Sequence, residues 1–148
     1  MRADTGRSVM EARQVVKAYR SGDRAIEVLR GVDLRVGAGE SVSIRGESGC
    51  GKSTLLNVLA GIETADAGEV AWEGASLGAP GSGSLNTRRA HFLGFVFQAY
   101  YLIPELNALE NVVLAGRIAG QPLGATRERA LALLERLGLG DRLLSHPG

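Results

Sequence analysis

The stretch GESGCGKSTLL at residues 46–56 constrains this chain more than any other. Gly46, then four residues, then Gly51, Lys52 and Ser53 have the spacing of a P-loop, and each fixed residue has a physical task. The glycines let the backbone turn tightly, so that successive N–H groups point inward at phosphate oxygens. A helix starting at the loop puts its positive dipole end on the same anion. Lys52 supplies a compact charge to the outer phosphates, and the Ser53 hydroxyl suits a magnesium ion. Glu47, Ser48, Gly49, Cys50 and Thr54 complete the loop and contribute chiefly backbone N–H groups.

The flanks support the motif. Val42 and Ile44, set between serines, predict a short strand running into Gly46, and Leu55, Leu56 and Leu59 fall at helical spacing with Gly61 as a helix stop. Of the 17 basic side chains only Lys17 and Lys52 are lysine, so Lys52 marks a position where arginine does not serve. A glycine-rich turn that binds nothing would have no reason to combine these features. A nucleoside triphosphate with magnesium is the inference, and the loop alone does not choose among ATPases, GTPases and small-molecule kinases.

Elsewhere, Val32, Leu34 and Val36 alternate with polar residues and predict a strand with one buried face, while YRSGDRA at 19–25 reads as a turn before it. EVAWEG at 69–74 and LGFVF at 93–97 read as strands, and GASLGAPGSGS at 74–84 as a mobile surface loop. Asn107 with Glu110 predicts a capping box opening a helix at Ala108, and Leu131, Leu134 and Leu137 mark a further helix ending near Gly138. Strands and helices alternate first, and the last part is helical.

A length of 148 residues favours one domain, and 45% hydrophobic with 22% charged residues is the balance of a folded, soluble protein. A net charge of +1 supplies no broad field for nucleic acid, so any anion site is local. The first 14 residues have no apolar run of the kind a signal peptide needs. One cysteine, Cys50, forms no internal disulfide; it is expected to be a quiet, partly buried thiol. His91 and His146 lack partners at metal-ligand spacing, and Arg88 and Arg89 read as a solvated basic face.

Two long stretches carry a family resemblance: VLRGVDLRVGAGESVSIRGESGCGKSTLLNVLAGIETADAGEV and LGFVFQAYYLIPELNALENV. The chain resembles the N-terminal part of an ABC transporter ATP-binding subunit, from about residue 9 to 147, and within that superfamily is most similar to the lipoprotein-releasing and macrolide-export type. The resemblance implies an α/β P-loop NTPase fold: a RecA-like core with an N-terminal antiparallel β part over about residues 8–98, and the start of a helical subdomain over about 99–148, all one domain incomplete at its C-terminus. It implies ATP and Mg2+ as cofactors, an integral membrane permease and a second ATP-binding subunit as partners, no nucleic acid, and a cytoplasmic location on the inner face of the plasma membrane. It also assigns Tyr19 to stacking on adenine, for which a flat ring is physically suited. Gln98 matches the glutamine that touches magnesium and the attacking water, so Lys52 and Gln98 are the catalytic candidates and Ser53 and Gln98 the metal candidates.

By the same resemblance, hydrolysis needs four apolar residues followed by Asp-Glu, a Ser-Gly-Gly signature loop and a later histidine. None of these occurs here. The leading expectation is therefore an N-terminal fragment of an export-type ATPase subunit, inactive alone. Alternatives are a truncated nucleotide-binding protein without turnover and another P-loop class, the latter disfavoured because no Asn-Lys-x-Asp base-reading motif is present. The transported substrate and its direction are not encoded in these motifs.

Overall fold

Two long strands, β1 (Ser8–Ser21) and β2 (Arg24–Gly37), pair antiparallel about a turn at Gly22 and Asp23 in the computed structural model, which describes residues 8–78 and 84–148. The alternation of Val32, Leu34 and Val36 does lie on a strand. The turn read at 19–25 shrinks to two residues, because cross-strand pairs persist from Tyr19↔Ile26 to Ser21↔Arg24.

On its other edge β1 pairs antiparallel with β3 (Ala67–Trp72), and β3 with β4 (Ala75–Ser76), giving the order β2-β1-β3-β4. The register of β1 shifts between Ala12 and Val15, where Gln14 takes φ 48° and its N–H donates to Asp33 Oδ1 at 2.8 Å. This irregularity presses the β1 backbone onto Gly68, where a Cβ would stand 2.2 Å from the Gln14 carbonyl oxygen. Only glycine, here at φ +84°, admits that approach.

Helix α1 (Lys52–Leu59) lays Leu55, Val58 and Leu59 against Ala12, Val15, Leu29 and Val70. Val15 and Val58 are fully buried, each contributing about 1.5–3 kcal/mol. The buried Trp72 indole N–H donates to the Leu59 carbonyl at 2.9 Å, which fixes the C-terminal end of α1 on the sheet. Gly61 follows at φ +62°, the left-handed stop its position predicted.

Chain contacts divide the molecule into two units, Met1–Arg89 and Ala90–Gly148, with the division inside α2 (Leu85–Phe92). In the second unit α3 (Ala108–Ile118) opens on the predicted capping box: the Asn107 side chain accepts from the Glu110 N–H, and Glu110 accepts from the Asn107 N–H, each at 2.9 Å. The amides of Ala108 and Leu109 donate to Ser145 and Leu143 carbonyls, so the closing segment satisfies donors that a helix start leaves orphaned. Helix α4 (Leu123–Arg136) buries Ala130 and Leu134 against Leu109, and a 3-10 turn (Gly140–Arg142) follows. α4 ends as expected, with Leu137 at its cap and Gly138 at φ +72°.

Several expectations are corrected. Residues 41–44 and 93–97, read as strands, join no ladder among the described residues. A strand exists only by pairing, and the described sheet is built from β1 to β4 alone. The simple alternation of strands and helices gives way to two strands, a helix, two strands and then helices. The loop expected at 74–84 contains β4, because Ala75 and Ser76 pair back onto Trp72 and Ala71; 79–83 lie outside the described residues, as do the first seven of the N-terminal residues read for a leader. Arg88 and Arg89 are half-buried tethers and not a solvated face. Arg88 donates to the Ala75 and Ser76 carbonyls and lies over the Trp72 ring, and Arg89 donates to the Gly61 carbonyl at 2.8 Å. Guanidinium groups satisfy several carbonyls at once, and local spacing does not reveal that.

Candidate functional site

The loop at 46–51 ends where α1 begins, with Gly51 as N-cap at φ 95° and no side-chain cap. The first-turn amides of α1 therefore have no capping side chain, and the first turn carries no acidic residue. Both conditions leave the positive end of the helix available to an anion.

The cradle is close-packed at both of its glycine ends, and at Gly51 glycine is required. A Cβ on Gly51 would stand 2.7 Å from Val28 Cγ1 and 3.2 Å from the Val28 carbonyl oxygen, because the loop is pressed onto β2. A Cβ on Gly46 would stand 2.6 Å from Cys50 Sγ across the loop. At Gly51 the β2 backbone leaves no room for a side chain, whereas at Gly46 the neighbour is the end of the Cys50 side chain.

Lys52 reaches back over the loop. Its ammonium donates to the Gly46 carbonyl at 3.0 Å and the Glu47 carbonyl at 2.6 Å, and lies 3.7 Å from Cys50 Sγ. These partners are neutral, whereas the other lysine, Lys17, is paired with Asp66 at 3.0 Å. Among the described residues Lys52 thus has no carboxylate partner, and its charge stands beside the helix N-terminus, which is the electrostatic requirement for phosphate. The Cys50 N–H donates to the Glu47 carbonyl at 3.4 Å, and its thiol is exposed, a correction to the expected partial burial. Ser48 and Gly49 are exposed in the loop, and Ser53 is exposed on the first turn of α1.

Tyr19, at the far end of the β1–β2 hairpin, is brought to α1. Its hydroxyl donates to Glu63 Oε2 and lies 3.4 Å from Thr54 Oγ1, while Asn57 Nδ2 donates to Glu63 Oε1 at 2.7 Å. These bonds, from Tyr19 first and Asn57 second, hold the Glu63 carboxyl below the usual carboxylate range. The Lys17 ammonium lies 5.7 Å from the Tyr19 ring centroid and donates to the Thr64 carbonyl at 2.8 Å. Asp66 accepts from the Ala18 N–H at 2.7 Å and from Lys17, and both depress its pKa in that order. Sequence reasoning missed Glu63, Asn57 and the Lys17–Asp66 pair, since nothing in the spacing of Glu63 after Gly61 signals a tyrosine partner 44 residues earlier.

Gln98 lies in the second unit, exposed in the irregular segment after α2. Near it Phe95 and Phe97 stack at 5.3 Å, and Tyr101 meets Phe97 edge-on at 5.1 Å. His91, at the end of α2, and His146 are exposed. Among the described residues no group of three His, Cys, Asp or Glu side chains could hold a metal ion. Magnesium fits here only as a companion of phosphate, taking a hydroxyl such as Ser53 and few other protein ligands.

The family model described as ABC transporter matches residues 29–147, which include the loop, α1 and parts of both units but not β1. The chain belongs to the ABC transporter family. As a member of it, the chain is 45% identical over 139 residues to the lipoprotein-releasing system ATP-binding protein LolD of Alcanivorax borkumensis, covering 94% of this chain and 61% of that protein. It is 42% identical over 146 residues to the macrolide export ATP-binding/permease protein MacB 1/2 of Paracoccus denitrificans, covering 99% of this chain and 22% of that one. Among solved structures it superposes with a TM-score of 0.80 at 36% identity on the dimeric ATP-binding cassette MJ0796 in a post-hydrolysis state bound to ADP and Pi, covering 93% of this chain and 60% of that one. This ABC chain thus spans about three-fifths of the length of LolD. The expected α/β P-loop fold, with its antiparallel β part and helical segment, agrees with these neighbours. No helix among the described residues is long and apolar enough to cross a membrane.

Proposed function

We propose that these residues form the nucleotide-binding part of an ATP-binding subunit of an ABC transporter of the lipoprotein-releasing or macrolide-export type. Such a subunit couples ATP binding and hydrolysis to an integral membrane permease on the cytoplasmic face of the membrane, and works with a second ATP-binding subunit. One observation carries the reading: the Lys52 ammonium, whose partners among the described residues are the neutral Gly46 and Glu47 carbonyls and the Cys50 sulfur, stands at a helix N-terminus without a side-chain cap. The names of LolD and MacB support the transporter type. The core of the domain is about 8–98, and about 99–148 begin its helical subdomain.

In this reading Gly46, Glu47, Ser48, Gly49, Cys50, Gly51 and Thr54 present backbone amides to the phosphates. Lys52 binds the outer phosphates, and Tyr19 supports the adenine. Ser53, exposed on the first turn of α1, is the residue that would hold the magnesium that comes with ATP, and the ion would draw charge from the phosphates. Because no Asp-Glu pair occurs in these 148 residues, no such carboxylate is available to polarise water. They bind Mg-ATP without turning it over.

Calorimetric titration with Mg-ATP, with phosphate release followed in parallel, tests both statements. Lys52→Ala should weaken binding roughly ten- to a hundredfold, the scale of hydrogen bonds to charged groups, and neither protein should release phosphate above background. Equal affinity in the two proteins would sink the loop assignment, and lysine-dependent phosphate release would sink the claim of inactivity.

A further inference from the structure

We propose that Glu63 is a positioning residue for the nucleobase, holding the Tyr19 ring against α1 as a fixed stacking platform. The proposal rests on the nucleotide-binding reading above and adds to it the group that orients the ring. A tyrosine at a strand end and 39% exposed would ordinarily exchange rotamers freely, and ordering it on ligand binding would cost affinity. Here the hydroxyl is taken by a carboxylate, a charge-assisted bond of the stronger kind.

The carboxylate is itself held. Asn57 Nδ2 occupies its second oxygen at 2.7 Å. Thr54 and Asn57 are three residues apart on α1 and so share a face, the face Tyr19 meets. Thr54 stands two residues after Lys52, so the tyrosine is anchored to the first turn of the helix that carries the phosphate lysine. The ring and the phosphate cradle therefore keep a set spacing, which is what a ligand with a flat base at one end and phosphates at the other requires. Lys17, clamped by Asp66 and the Thr64 carbonyl, lies over the ring and holds it from the hairpin side, leaving the base to the opposite side.

Binding of ATP and of inorganic tripolyphosphate, each with magnesium, separates the roles. Glu63→Ala and Tyr19→Phe should each weaken ATP about three- to tenfold, the scale of one net hydrogen bond, and leave tripolyphosphate unchanged. The double variant should lose no more than either single one, because both remove the same bond. Glu63→Gln keeps an acceptor for the hydroxyl and should fall between wild type and Glu63→Ala. Lys52→Ala should weaken both ligands. If Glu63→Ala binds ATP like wild type while Tyr19→Ala does not, the positioning role is wrong and the platform stands. If Tyr19→Ala also binds ATP like wild type, the platform itself is wrong. Equal losses for ATP and tripolyphosphate, or additive losses in the double variant, would make Glu63 a merely structural residue. Should Glu63→Ala fail to fold, Glu63→Gln and Tyr19→Phe decide by the same comparison, and a wild type that binds no ATP overturns the reading and the inference together.

Discussion

Gly51→Ala tests whether the phosphate loop is held by its contact with β2. At φ 95° a side chain is strained wherever it points, by about 1–2 kcal/mol from the clash of Cβ with the backbone. The new methyl would also stand 2.7 Å from Val28 Cγ1, 3.2 Å from the Val28 carbonyl oxygen and 3.4 Å from Leu29 Cδ2. Val28 Cγ1 can yield, but the carbonyl belongs to the sheet and Leu29 is buried, so relief requires backbone movement. Overpacking of this kind costs about 1–3 kcal/mol, which brings the total to roughly 2–5 kcal/mol. Gly49→Ala is the control: at φ +81° it is strained too, yet its methyl meets nothing within 4 Å. The two variants should therefore differ by the packing cost alone. Trp72, the single tryptophan, is 2% exposed and bonded to the last residue of α1, so its fluorescence in urea reports this unit directly. With a urea dependence of about 2 kcal/mol per molar, Gly51→Ala should unfold about 0.5–1.5 M earlier than Gly49→Ala. Adding Val28→Ala should recover part of that difference by removing Cγ1. Equal midpoints for Gly51→Ala and Gly49→Ala would refute the view that the loop is braced by β2.

Two further outcomes follow from the same geometry. Cys50 is exposed in the loop, so saturating Mg-ATP should slow its reaction with maleimide several-fold by mass spectrometry; an unchanged rate in a protein shown to bind ATP would place the phosphates elsewhere. Glu63, Asp66 and Glu11 have lowered pKa values, from Tyr19, from the Ala18 N–H and from Arg13 respectively, so their contribution to stability is complete above about pH 5 and is lost as pH falls through the folded-state values, below the ordinary carboxylate range of about 3.9–4.3. Lys17 is raised by Asp66, so its share is lost only in alkali, above its ordinary value. Asp66→Asn should flatten the fall of the urea midpoint between pH 5 and pH 3, and an unchanged acid slope would show that the Ala18 and Lys17 bonds do not favour the ionised form.

What could be read in the residues alone was whatever a few neighbouring positions settle among themselves. The motif from Gly46 to Ser53 is of this kind, since its spacing and the lysine folding back across it lie within eight residues, although the close fit of Gly51 against Val28 is set by β2. The Asn107 and Glu110 capping box is another, because both hydrogen bonds close inside one helical turn. Gly61 and Gly138 stop their helices for the same local reason. Residues 41–44 and 93–97 show the limit: their alternation is right for strands, but pairing is supplied by another segment, and their own composition cannot provide it. Arg88 and Arg89 look like any charged pair until folding presents the Ala75, Ser76 and Gly61 carbonyls to them. Tyr19 was singled out by resemblance, yet its partners Glu63, Asn57 and Thr54 arrive only when the hairpin end meets α1. Local sequence thus determined the chemistry of the phosphate loop, whereas the fixing of Tyr19 was decided by tertiary structure, because a hydrogen bond between residues 44 apart exists only after the chain has closed the loop between them.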